Sequence, residues 1–162
     1  MHEIHGSGVA TGCRVAVIVS RFNREITEGL LAGAREALAE AGVGEDTITL
    51  VRVPGAFELP LAALDAAATG QFDAVVCLGC LIKGDTMHFE YIATAATNGI
   101  AEAALTSGVP MGFGLLTTLT DEQAEVRSRP GRENKGREAA QAALEMVLIG
   151  RQLAAGAGAA AL

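Results

Sequence analysis

Four apolar runs constrain this chain more than any other feature: RVAVIVS (14–20), TITLVRV (47–53), FDAVVCLGCLI (72–82) and PMGFGLLTT (110–118). A strand with one wet face alternates apolar with polar residues, whereas a strand covered on both faces is apolar throughout. These runs are of the second kind and rich in β-branched residues, so they predict buried strands. Helix-period segments lie between them, from Glu25 to Ala41, Phe57 to Ala68 and Met87 to Thr106. Each stops at a glycine, Gly42, Gly70 or Gly108, the residue that best accepts a left-handed cap. Pro60 falls in the first turn or so of the second helix, where a missing N–H costs least. The last stretch divides into a short helix, Asp121 to Ser128, and a longer one from about Glu133 to Leu153.

Strand and helix alternating four times, with strands of this kind, predict a parallel sheet with helices on both faces. The expected fold class is α/β, a three-layer α/β/α sandwich around a four-stranded, mainly parallel sheet, flavodoxin-like in type. At 162 residues and half apolar, the chain suits one domain with a buried core and is short for two. We therefore read 1–162 as a single domain, with 1–12 a flexible N-terminal arm and the Ala/Gly-rich 154–162 a disordered tail.

Charge and cysteine usage narrow the function. Twelve Lys and Arg against nineteen Asp and Glu leave a net charge of -7, which disfavours nucleic acid and anionic membranes as partners. No run approaches the roughly 18 apolar residues of a membrane span, and the first residues lack a leader pattern, so a cytoplasmic location is expected. Cys13, Cys77 and Cys80 are an odd set without a second cysteine pair to complete a zinc site. The C-x-x-C spacing of Cys77 and Cys80 on a strand sends their side chains to opposite faces. Buried thiols are expected, without a redox or metal role.

In open parallel sheets ligands bind beyond the carboxyl ends of the strands. SRFN follows the first run, PGAFE the second and KGDTMH the third, while the fourth contains Phe113 and ends in Thr-Thr. An aromatic, a carboxylate, a Gly-Asp-Thr turn with a histidine, and a second aromatic are thus expected to converge on one edge. Neither G-x-G-x-x-G nor G-x-x-x-x-G-K-[ST] occurs, so dinucleotide and P-loop readings lose their main support. KGDT entering a helix offers free N–H groups and a positive dipole end suited to phosphate. The same turn has a plainer reading, in which Asp85 or Thr86 only caps the helix, worth about 1 kcal/mol.

Arg127, Arg129, Arg132, Lys135 and Arg137 crowd into eleven positions of an acidic chain. They are either an anion site, for which arginine is well shaped, or a solvated charge run between helices. The chain has three histidines, and His2 and His5 lie in the N-terminal arm. His88 is therefore the candidate proton carrier, able to titrate near neutrality beside a phosphate site. Phe22, in the polar loop SRFNRE, has little packing reason to be there unless it covers a flat ligand.

Taken in order, SRFN, VPGAFELP, LGCLIKGDTMHFEYIA, GFGLLTT and ENKGREAAQAALEM resemble the 6,7-dimethyl-8-ribityllumazine synthases of riboflavin biosynthesis, over about Arg14 to Met146. The resemblance implies condensation of 5-amino-6-(D-ribitylamino)uracil with 3,4-dihydroxy-2-butanone 4-phosphate, without metal or organic cofactor. It implies Phe22 stacked on the pyrimidinedione, Ala56, Phe57 and Glu58 along the ribityl chain, and backbone of Cys80, Leu81 and Ile82 lining the ring pocket. Asp85 and Thr86 would hold phosphate with Arg127, assisted by Lys135, and His88 would transfer protons. Phe113 would come from a neighbouring subunit, as would Arg127 and Lys135 or their counterparts. Lys83 stands where many members have arginine, and RSRPGRENKG lacks a lysine that some place after the phosphate arginine.

The resemblance further implies a homo-oligomer, a pentamer or twelve pentamers in an icosahedral shell, with riboflavin synthase as a candidate partner. The short linker before the Asn-Lys-Gly turn favours the shell. Two rivals share the fold. A flavin or lumazine carrier or shell protein would keep the pocket without turnover, and a flavodoxin-type redox domain would need a Ser/Thr-rich phosphate loop that is lacking after the first strand.

Overall fold

The computed structural model describes residues 1–159. Its sheet has four parallel strands, β1 (Val15–Ser20), β2 (Ile48–Val53), β3 (Ala74–Ile82) and β4 (Met111–Thr118), in the order β2-β1-β3-β4. Helices α1 (Arg24–Glu40), α4 (Asp121–Ser128) and α5 (Lys135–Ala159) cover one face, and α2 (Leu59–Ala68) and α3 (His88–Ser107) the other. This is the α/β sandwich expected from the alternation. β1 shows how one strand feeds both layers. Val15, Val17 and Val19 join the core beneath α1 and α5, while Ala16 and Ile18 join the core beneath α2 and α3, as a period of two requires.

Full burial holds for the centre of the sheet and fails at its edges. Every residue of β1 is buried, but Thr49, Leu50 and Arg52 of β2 and Phe113 and Thr117 of β4 are exposed. β2 and β4 are edge strands, so one side of each has neither a neighbouring strand nor a full covering of helix. Helix ends follow the glycines, since Gly42, Gly70 and Gly108 all have positive φ. Pro60 sits at the start of α2, after a single 3-10 turn at Ala56–Glu58. Cys77 and Cys80 face opposite layers, and burial pushes their thiols up to about 12 and about 11, the latter with help from Asp121.

The C-terminus differs from the sequence expectation, and the N-terminal arm makes contacts of its own. Residues 1–12 form no regular element, yet they lie along the sandwich. Gly6 packs so closely on Glu145 that a side chain there would collide with it. The Ala10 N–H donates to the Ala41 carbonyl at 2.7 Å, and the Gln152 side chain donates to the His5 carbonyl at 2.6 Å. At the other end, the helix expected to stop at Leu153 continues through Ala159. Alanine, abundant in this stretch, has the highest helix propensity of any residue type, enough to carry the helix past Gly156,. Residues 160–162 lie outside the described residues.

Candidate functional site

The chain crosses from one side of β1 to the other between β2 and β3, so the crevice above β1 and β3 is a topological switch point,. A pocket of about 550 Å³ lies there. Phe22 and Asn23 come from the β1–α1 turn, and Gly55, Ala56, Phe57 and Glu58 from the β2–α2 connection. Cys80, Leu81 and Ile82 end β3, Gly84 and Thr86 form the turn after it, and His88, Phe89 and Ile92 open α3. Asp121, the first residue of α4, completes the wall. Four separate strand-to-helix connections thus meet around one cavity.

Phe22 and Phe57 are largely exposed, at 69% and 58%, although each flanks an apolar wall. Aromatic faces in that position are available for stacking. The turn after β3 leaves α3 without a side-chain cap. Met87 occupies the N-cap position and makes no capping bond, so neither Asp85 nor Thr86 plays that part. The amides of His88 and Phe89 begin a 20-residue helix at its positive end, which suits an anion, while the Glu90 N–H is turned to its own carboxylate,. Thr86 lines the pocket, whereas Asp85 lies in the turn outside the lining. Lys83 is turned to Glu90, with Nζ and Oε1 2.9 Å apart, and this hydrogen bond holds the Glu90 carboxyl below its ordinary range. The pocket wall contains His88, Glu58 and Asp121 but, among the described residues, no lysine or arginine.

The missing positive charge sits elsewhere. Phe113, Arg127 and Lys135 line a second recess of about 240 Å³ along β4, with Thr118 at its end. The expected convergence of Phe113 on the carboxyl edge is not what the sheet register allows. Phe113 pairs with Cys77, three residues before the Cys80–Leu116 pair, or about 10 Å short of that level at the strand rise of about 3.3 Å per residue. Within one chain, then, His88, Phe22, Ala56, Phe57, Glu58, Cys80, Leu81, Ile82 and Thr86 share one cavity, and Phe113, Arg127 and Lys135 share another. Arg129 and Arg132 line neither. They flank a groove in the α4–α5 turn.

Among the wall residues that sequence reasoning does not single out, two are polar, Asn23 and Asp121. Asn23 has φ 54, the one non-glycine residue with positive φ among those described. Its Nδ2 donates to the Cys80 carbonyl at 2.9 Å, tying the Phe22 turn to the end of β3. The signal was present in SRFN, because asparagine is among the few residues that visit the left-handed region readily. Asp121 carried no such signal, since first-turn acidic residues are common on any helix. No group of three or more His, Cys, Asp or Glu among the described residues is placed to hold a metal ion, and no helix there is long and apolar enough to cross a membrane.

Comparison with known proteins places most of the chain in one family. The family model described as 6,7-dimethyl-8-ribityllumazine synthase matches residues 12–151. A Caulobacter vibrioides protein named 6,7-dimethyl-8-ribityllumazine synthase 1 is 51% identical over 140 residues, covering 86% of this chain and 92% of its own. A Salinibacter ruber protein named 6,7-dimethyl-8-ribityllumazine synthase is 46% identical over 147 residues, covering 91% of this chain and 94% of its own.

Proposed function

We propose that this chain, which belongs to the 6,7-dimethyl-8-ribityllumazine synthase family of riboflavin biosynthesis, condenses 5-amino-6-(D-ribitylamino)uracil with 3,4-dihydroxy-2-butanone 4-phosphate. The observation that carries the reading is the division of chemistry between the two recesses. One offers stacking faces, a carboxylate, the first amides of a helix and a histidine; the other offers an aromatic and two cations. A phosphate-bearing substrate needs both, and a second copy of the chain can bring the β4 recess of one subunit to the switch-point pocket of another. The active form in this reading is a homo-oligomer, a pentamer or a shell of twelve.

Each step follows from the residue types. Phe22 stacks on the pyrimidinedione while the backbone of Cys80, Leu81 and Ile82 borders its edge, and Glu58 accepts hydrogen bonds from the ribityl hydroxyls. The 5-amino group attacks the ketone, and the carbinolamine loses water to form an imine. Elimination of the phosphate takes the proton from the neighbouring hydroxyl-bearing carbon and leaves an enol, which tautomerises to a methyl ketone. Attack by the ribitylamino nitrogen on that new carbonyl closes the ring with release of a second water. Every one of these steps moves a proton, and His88 at the first position of α3 is the wall residue suited to move it. Arg127, with Lys135, Thr86 and the α3 amides, stabilises charge on the departing phosphate. The remaining rate enhancement comes from holding two substrates in reacting geometry.

The test is turnover of the purified chain with both substrates, following lumazine absorbance and phosphate release together. Equal amounts of lumazine and phosphate are expected. Pyrimidine binding without turnover would make the chain a carrier on a synthase fold.

A further inference from the structure

The Asn-Lys-Gly turn joins the two cations of the β4 recess, and one buried side chain holds it. Asn134 is 1% exposed. Its Nδ2 has two hydrogens and lies within hydrogen-bond distance of three carbonyls, those of Ser128 at 2.8 Å, Arg129 at 3.0 Å and Gly29 at 3.0 Å, so that one N–H is shared between two of them,. Its Oδ1 accepts from the backbone N–H groups of Gly136 at 2.9 Å and Arg137 at 3.1 Å. Every hydrogen-bonding atom of the amide is in use. The Ser128 and Arg129 carbonyls end α4 directly after Arg127, and Asn134 itself directly precedes Lys135. The third tether, to Gly29, locks both ends onto α1.

The surroundings are cut to fit this bracket. A Cβ at Gly29 would stand 2.5 Å from the Ser128 carbonyl oxygen, one at Gly33 would collide with the Asn134 amide, and one at Gly136 would collide with the Leu30 carbonyl. Arg137, whose side chain is 12% exposed, adds ion pairs from α5 to Glu36 and Glu40 of α1. Capping α5 needs only the Oδ1 acceptor, which serine also provides. The tethers from Nδ2 to three carbonyls go beyond a cap and act on the position of Arg127 relative to Lys135.

We infer that Asn134 is a positioning residue for phosphate, setting the spacing of Arg127 and Lys135 in the β4 recess. This rests on the proposed role of those two cations, and the test separates the two claims. Asn134→Ser keeps the cap and removes the tethers. Inorganic phosphate binding is measured by titration calorimetry on the assembled wild type, Arg127→Ala, Asn134→Ser and Gly29→Ala, alongside the KM of each substrate and the melting temperature.

In Asn134→Ser, phosphate binding weakens and the KM of the phosphate substrate rises, each by about tenfold to a hundredfold, the scale of a small misplacement of a binding group. The KM of the pyrimidine stays unchanged, which a general loosening of the fold would not allow. Asn134→Gln, too long to make the same bonds, does not restore affinity. Gly29→Ala, which displaces the Ser128 end without touching the cap, shows the same selective loss and carries the test should the serine variant fail to fold. Phosphate affinity at the wild-type level in a folded tether variant, while Arg127→Ala loses it, overturns the role of Asn134 and leaves the function standing. Wild-type protein that binds no phosphate, or Arg127→Ala that binds it as well as wild type, overturns both.

Discussion

The recess above β1 and β3 and the recess beside β4 are built from the same chain to opposite specifications. The first is large, about 550 Å³, apolar-walled and bordered by Glu58, Asp121 and His88; the second, about 240 Å³, holds Arg127 and Lys135 beside Phe113. Binding energy for a flat uncharged ring comes from stacking and excluded water, whereas a phosphate demands fixed positive charge. Carboxylates and cations crowded into one cavity of a single chain would neutralise each other. The wall of the first recess keeps its carboxylates clear of lysine and arginine among the described residues, whereas Lys135 in the second is paired with Glu138.

That comparison can be broken at its strongest point first. His88→Ala is expected to lower turnover by roughly 10²–10⁴, the range of acid–base catalysis, with both substrates still bound. Steady-state kinetics decide it, and a wild-type rate in the variant would remove the histidine from the chemistry. Next in size, Arg127→Ala should lower kcat/KM for the phosphate substrate by roughly 10- to 100-fold, as expected for losing charge-assisted hydrogen bonds, and leave pyrimidine binding unchanged. Equal losses for the two substrates would show that the recesses are not chemically divided.

Smaller effects sharpen the boundary between site and scaffold. Asn23→Ala places alanine at φ 54 and deletes the bond to the Cys80 carbonyl. It should cost about 1–2 kcal/mol for the left-handed backbone in denaturant unfolding, with Asn23→Gly sparing most of that. Equal costs would assign the loss to the hydrogen bond alone. Smallest of all is Arg52→Ala, which breaks the paired bonds to Glu28 at 2.6 and 3.3 Å, far from both recesses in role. The Arg52 hydrogen bond depresses the Glu28 carboxyl from its usual 4.5. A depressed carboxylate stabilises the fold above its unfolded pKa and loses that contribution as pH falls through the folded one. The wild-type advantage should thus be under about 1 kcal/mol at neutral pH, as for other exposed pairs, and shrink in acid, with activity untouched. An advantage that grew in acid would contradict the assignment.

Legibility in the sequence followed how local each cause was. β1 and β3 were readable because central strands bury both faces and their composition says so. The glycines at 42, 70 and 108 marked helix ends because a positive φ is a single-residue requirement,. A short helix near Asp121–Ser128 was readable, and Thr120 caps it through the Gln123 N–H. The exposure of Leu50 and Phe113 was not readable, because edge position is a property of strand order and not of the strand. Nor was the distance of Phe113 from the carboxyl edge, which depends on register with β3. Motif order brought the wall residues together on the page, and the resemblance assigned Phe113, Arg127 and Lys135 to a neighbouring subunit; the folded chain adds that these three share a recess apart from His88.

The most direct test is co-assembly of His88→Ala chains with Arg127→Ala chains, each nearly inactive alone. Where a site takes its histidine from one subunit and its arginine from the next, mixed oligomers contain interfaces with both residues intact. Turnover above that of either parent is the expected result. Mixed oligomers that reach only the average of the two parents would contradict the account and place the whole site within a single chain.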